Sequence, residues 1–296
     1  MNRYLLVLIF FLSCTHAENS NLSSPESTEI NVETRPGEKI ELSEIASDVS
    51  YVKLVTTAQN TIGSINKMII HDNKYYIFDS KTQKILVFDI NGNFLFQIDR
   101  SGRGPGEYLH IQDFLVDSAR SNIEIWDNGN QKILTYDKTG KFESERSFIY
   151  YINSFCKFNE NVYICFASNA LNPKLFNEGS FNVIVVDSAN KLKASFLPIN
   201  DLKYLSIGEQ NFFERYGNGV NVSIPFDNNI YYVTSGSSIV KYRINFIKYK
   251  MPENFIKEYN NADLSKSSER SNAMIQLLNK FNDGSYILSV FNIFEN

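Results

Sequence analysis

DSKTQKILVFDINGNF (Asp79–Phe94) returns 48 residues later as DNGNQKILTYDKTGKF (Asp127–Phe142), identical at 8 of 16 positions. Asp79 matches Asp127 and Gln83 matches Gln131, and Lys84-Ile85-Leu86 matches Lys132-Ile133-Leu134. Asp89, Gly92 and Phe94 match Asp137, Gly140 and Phe142. A short apolar run opened by one Asp and closed by another, then an Asn-Gly or Thr-Gly turn, reads as a β-strand entering a hairpin. Working outward from the first copy, Ile65–His71 and Tyr75–Asp79 form two more strands flanking an Asp72-Asn73 turn. Lys84–Asp89 is the third strand, and Phe94–Ile98 follows Asn91-Gly92 as the fourth.

Weaker copies continue along the chain. Phe155–Phe166 pairs with Val183–Asp187, Ile230–Thr234 with Ser238–Tyr242, and Leu277–Phe281 with Ser285–Val290 across Asn282-Asp283-Gly284. Unit starts fall near Ile65, Ile111, Ile152, Val220 and Ile275. The only helical flavour lies around 255–278. A period of about 40–50 residues with four strands is the signature of β-propeller blades. The expected fold is therefore all-β, a propeller of four-stranded antiparallel blades, with about four and a half blades present.

The ends are different in kind. Arg3 and the apolar run Tyr4–Leu12 read as a secretory signal over 1–13, too short to span a bilayer. Ser13-Cys14 after that run resembles the lipobox of bacterial lipoproteins, with Phe11 where that motif usually has Leu. The resemblance implies lipidation of Cys14 and a membrane partner through the lipid. Residues 14–47, polar and poor in aromatics, are expected to be a flexible tether, leaving 48–296 as the propeller domain. The residues after Cys14 lack a dense acidic cluster, which favours the periplasmic face of an outer membrane over the cell surface.

GRGPGEY (Gly102–Tyr108), between the first two units, sharpens the reading. The units resemble NHL-type repeats, and this run resembles a hallmark of six-bladed β-propeller lipoproteins abundant in Bacteroidetes. The resemblance covers about residues 40–290 and implies that Asp48–Leu54 completes the last blade. Six blades of that period need about 288 residues, against 248 from Val49 to Asn296. With five unit starts and room for only two strands in the fifth, the chain is expected to fall roughly one and a half blades short of six, and a five-bladed ring or an open propeller are the other readings.

Function is less legible. A net charge of −4 and a pI near 5.5 argue against a nucleic-acid partner. Arg100, Arg103, Glu107, Tyr108 and His110 form a candidate ligand loop around GRGPGEY, although three glycines, Pro105 and Tyr108 also suit a blade-to-blade connection. Asp89-Ile-Asn91-Gly92-Asn93 departs from the calcium-loop pattern and fits an Asx-capped hairpin better. Neither a Gly-x-Ser-x-Gly elbow nor a metal-ligand spacing of His or Cys occurs, so no metal or cofactor is expected. If Glu160-Asn161 is a two-residue loop, Cys156 falls opposite Cys165, as a disulfide or as two thiols. The leading expectation is a lipid-anchored extracytoplasmic module binding a protein or a small molecule. The rivals are an NHL-like hydrolase or lyase with a channel metal and a non-functional fragment.

Overall fold

In the computed structural model, residues 27–32, 41–172, 180–199, 213–224 and 227–246 are described. After strand β1 (Thr28–Val32) and a single-turn helix α1 (Leu42–Ile45), the chain is built from β-hairpins. The first blade holds β2 (Ile65–His71), β3 (Lys74–Asp79), β4 (Lys84–Asp89) and β5 (Phe94–Ile98), paired antiparallel in chain order. The second holds β6 (Ile111–Val116), β7 (Ile123–Asp127), β8 (Lys132–Tyr136) and β9 (Phe142–Ser147). The third holds β10 (Ser154–Asn159), β11 (Val162–Phe166), β12 (Phe181–Asp187) and β13 (Leu192–Pro198). The fourth holds β14 (Phe213–Tyr216), β15 (Gly219–Ser223), β16 (Asn229–Val233) and β17 (Ser238–Phe246), with β1 added parallel to β17.

These blades stack face to face as a β-propeller. Strands alternate their side chains between two faces, and both faces of an inner blade are covered, so the middle strands read as continuous apolar runs. In blade 1, Tyr76, Phe78, Ile85 and Val87 face Ile111, Phe114, Ile123 and Leu134 of blade 2. Trp126 and Ile133 of blade 2 meet Phe155, Tyr163 and Ile184 of blade 3, and the Trp126 indole donates to the Ile152 carbonyl at 3.2 Å. Ile164 and Val185 of blade 3 meet Phe213, Val222 and Val233 of blade 4. The first strands β2, β6, β10 and β14 are neighbours around the centre.

The repeated residues hold the turns. Asp79 accepts from the backbone N–H of Gly63 at 2.6 Å, Ser64 at 3.0 Å, Lys81 at 3.0 Å and Thr82 at 3.2 Å. Asp127 does the same for Leu109, His110, Gly129 and Asn130. Each Asp thus ties the start of its blade's first strand to the turn after its second. Gln83 and Gln131 sit in left-handed backbone, φ 56° and 53°, and donate to the carbonyls of Ser80 and Asn128. Asp89 and Asp137 cap the hairpins whose fourth residue, Gly92 or Gly140, has φ +84° or +81°. A β-carbon at Gly92 would meet the Lys53 carbonyl oxygen, so the turn also needs glycine for lack of room.

Several expectations change. Thr28–Val32, inside the expected tether of 14–47, is a strand: Ile30 and Val32 pack against Ile230, Tyr242 and Ile244. Conversely, Asp48–Leu54 forms no strand. It runs across blade 1, where Leu54 and Ile62 cover Ile77, Leu86 and Phe88, and the Val55 N–H donates to the Gly92 carbonyl at 2.8 Å. Blade 4 starts at Phe213, ahead of Val220, because Tyr216 and Gly219 close a hairpin. The helical reading around 255–278 and the last strand pair, Leu277–Phe281 with Ser285–Val290, lie outside the described residues.

Candidate ligand-binding channel

Three of the first strands carry a lone charge in an otherwise apolar or neutral run: Lys67 in INKMIIH, Asp113 in IQDFLV and Lys157 in SFCKFN. The propeller brings these charges together across blade boundaries. Lys67 donates to Asp113 Oδ1 at 2.7 Å and to the Phe114 carbonyl at 2.8 Å. Asp113, buried, also accepts from the N–H of Phe114 and, through Oδ2, from the N–H of Phe155 in blade 3. Lys157 reaches back from blade 3 to Asp117 Oδ2 at 2.5 Å and Glu124 Oε1 at 2.9 Å. The other oxygens are occupied too, since Ala119 N–H donates to Asp117 Oδ1 and the Tyr163 hydroxyl to Glu124 Oε2, both at 2.8 Å. From blade 4, Arg215 donates to the Lys157 carbonyl at 3.0 Å.

Burial alone would raise the Asp117 pKa, but the hydrogen bond from Lys157 and the backbone donors outweigh it and hold the carboxyl below its ordinary value. For Lys157, burial works against the charge, and the bonds to Asp117 and Glu124 prevail, so its pKa is raised. Tyr163 is pushed up to about 12 by burial and by the Glu124 charge. At neutral pH Asp117 and Lys157 therefore face each other as an ion pair, and the Tyr163 hydroxyl keeps its proton.

Above it lies a cavity of about 520 Å³, lined by the first strands of all four described blades. Met68 and Ile70 contribute from blade 1, Asp117 from blade 2, Phe158 from blade 3 and Arg215 from blade 4. The lining reaches the turns that join the first and second strands of blades 2 and 3, at Asp117–Ala119 and Glu160, where Ser118, Ala119 and Glu160 are exposed. Apolar walls with a few fixed polar groups are what small-molecule sites present. Among the described residues, no three His, Cys, Asp or Glu side chains converge as a metal site.

The family model described as "Domain of unknown function (DUF4934)" matches residues 27–296. The chain belongs to the DUF4934 family. No curated protein matches it. A Bacteroides fragilis protein described as exported is similar at 23% identity with a TM-score of 0.69. That likeness covers 80% of this chain and 66% of the other, so the present chain spans just under two thirds of its relative. A DUF4221 member from Bacteroides vulgatus shows 14% identity and a TM-score of 0.48, over 71% and 63% of the two chains. The virginiamycin B lyase of Staphylococcus aureus shows 13% identity and a TM-score of 0.40, over 63% and 55%. At that level the lyase likeness carries no argument about chemistry.

In this DUF4934 chain, the GRGPGEY run links β5 to the start of β6, at the opposite end of β6 from the cavity. Its polar groups are used within the loop and on the strands and turn packed against it. Gly102 N–H donates to the Tyr108 carbonyl, Gly104 N–H to Glu107 Oε2 and Gly106 N–H to Glu145 Oε2. Buried Tyr108 donates to the carbonyls of Gln83 and Ile98, and buried Tyr136 closes on the Gly106 carbonyl. Arg100, Arg103 and His110 are exposed beside it. None of the five candidate loop residues lines the cavity.

The opposed pair Cys156 and Cys165 needs correction. Phe158 is an extra residue in β10, so Lys157 pairs with Tyr163 and Asn159 with Val162. Beyond that bulge the register shifts by one: Cys165 faces Phe155 and Cys156 faces Ile164. Cys165 packs toward blade 2 and Cys156 toward blade 4, on opposite faces, and both thiols are free. Burial raises both, Cys156 to about 12. Lys67, Asp113, Asp117, Glu124, Lys157 and Arg215 escaped the reading of the sequence. The available signal was a lone charge within a repeat's first strand, at Lys67, Asp113 and Lys157.

Proposed function

We propose that this DUF4934 protein is a lipid-anchored extracytoplasmic binding module that takes a small molecule in the mouth of its propeller channel. The observation that carries the reading is the cavity lined by all four described blades above a closed ion-pair cluster. Asp113, Asp117 and Glu124 each have both oxygens engaged, by Lys67 and Lys157 together with backbone N–H groups and the Tyr163 hydroxyl. A metal-assisted hydrolase or lyase would first have to strip these lysines away, so binding is favoured over chemistry. The apolar run before Cys14 supports the anchor, and the repeats with GRGPGEY support kinship with NHL-like six-bladed lipoproteins.

Two measurements test it. Expression with and without Cys14→Ala, followed by intact-mass analysis, is expected to show a lipid adduct on the parent alone; equal unlipidated masses would remove the anchor. Native mass spectrometry of the full chain against a mixed small-molecule library tests the binding. Ser118 is exposed on the cavity rim, so Ser118→Trp fills the mouth without disturbing the core. Retention that falls about tenfold or more in Ser118→Trp is expected. Retention of nothing, or retention indifferent to this change, would take the site away from the channel.

A further inference from the structure

We infer that the channel-mouth cavity selects a small monoanion, an organic carboxylate on an apolar body, with Arg215 as its anchor. The inference rests on the binding reading above and names the chemistry of its ligand. It follows from counting which polar groups at the mouth are still free to bond. The three carboxylates have no oxygen without a donor. The cations are differently placed. Among the described residues, Lys67 and Lys157 each use two of three N–H donors, and Arg215 makes a single bond, to the Lys157 carbonyl, out of five donors. Apart from the exposed Glu160 at the rim, the lining therefore offers hydrogens and no carboxylate oxygen without a donor, so a ligand held among the first strands must accept.

Charge limits the ligand to one negative group. Lys67 is balanced by Asp113, whereas Lys157 meets two carboxylates, Asp117 and Glu124, which leaves one negative charge in excess beneath the cavity. Glu160, at the rim, is paired with Arg120 at 3.3 Å. Arg215 is the lining cation that no carboxylate meets among the described residues. One guanidinium fork suits one carboxylate, held by two parallel N–H bonds. A dianion such as a phosphate ester would bring excess charge against Asp117 and Glu160. Elsewhere in the lining, Met68 and Ile70 are 50% and 60% exposed and Phe158 is half-buried, so the rest of the ligand meets apolar surface.

Calorimetry on the full-length, detergent-solubilised chain tests this with three probes of one body, phenylacetate, 2-phenylethanol and phenethylamine. Phenylacetate is expected to bind at least about tenfold more tightly than the alcohol, with no heat from the amine. Arg215→Met is expected to erase that preference, and Arg215→Lys to restore part of it because the charge returns without the fork. Arg215 is exposed, so both variants should melt like the parent, and a matching melt shows that lost affinity is not lost folding. Equal or tighter binding of the alcohol or the amine, or phenylacetate binding unchanged in Arg215→Met, overturns the inference. If those probes bind and Ser118→Trp blocks them, the cavity reading survives that failure. If no probe binds and the library leaves nothing on the protein, both fall.

Discussion

Asp127 shows what one repeated residue does. Its side chain is fully buried and accepts four backbone N–H bonds and one from the Asn130 amide at 2.7 Å. Asp127→Ala strands those donors, and urea unfolding should show a loss of about 3 kcal/mol; a change below about 0.5 kcal/mol would mean the turn is held by something else. Lys157 makes the matching case for the channel. Lys157→Met leaves Asp117 and Glu124 buried beside each other without a counter-charge, at a cost of about 3 kcal/mol near pH 7. That penalty should shrink as pH falls toward about 4, because carboxyls no longer held down take up protons. A penalty independent of pH would show that packing, not charge, explains it. At Cys156 and Cys165, denaturing the chain without reductant should expose two alkylatable thiols, both slow to react in the native protein. A disulfide-linked peptide in the digest would contradict the observed register.

At the scale of elements, hairpins were the legible part. The strands at 65–71, 84–89 and 94–98 lie where alternation and Asn-Gly turns put them, because those signals are local. What escaped depends on distant partners. TEINV reads as polar tether by composition, yet Thr28–Val32 is a strand because the edge of β17 and the apolar surface of Ile230 and Ile244 accept it. The one-residue bulge at Phe158 carries no local mark, and it alone moved the cysteines to opposite faces. If β1 is held by Ile30 and Val32, Ile30→Asp should lower stability by about 1 kcal/mol. It should also open the segment before α1 to limited proteolysis. Unchanged cleavage would mean that β1 adds little to blade 4.

For the whole molecule, the turn carboxylates set a direction for pH. Asp79 and Asp117 are buried, which by itself would raise them, but backbone donors and Thr82 hold Asp79 below its ordinary value, and Lys157 with backbone donors does so for Asp117. A depressed carboxyl adds stability that is complete above its unfolded pKa and lost as pH falls through the folded one. Lys157, held high, adds stability that is complete below its unfolded pKa near 10 and is lost only above its raised folded value. The melting temperature should therefore be nearly flat from about pH 5 to 9 and fall steeply below about pH 4. A melt that is insensitive to acid would deny these residues their role. The channel chemistry was hidden in the sequence for a related reason. Lys67, Asp113, Lys157 and Arg215 lie on four different blades, and only the stacking of blades makes one site of them.

A crystal structure of the full chain with phenylacetate tests that site most directly. The account predicts the carboxylate in a fork on Arg215 and the ring against Met68 and Phe158. A cavity closed by the chain's own side chains, or phenylacetate bound away from the four first strands, would contradict it.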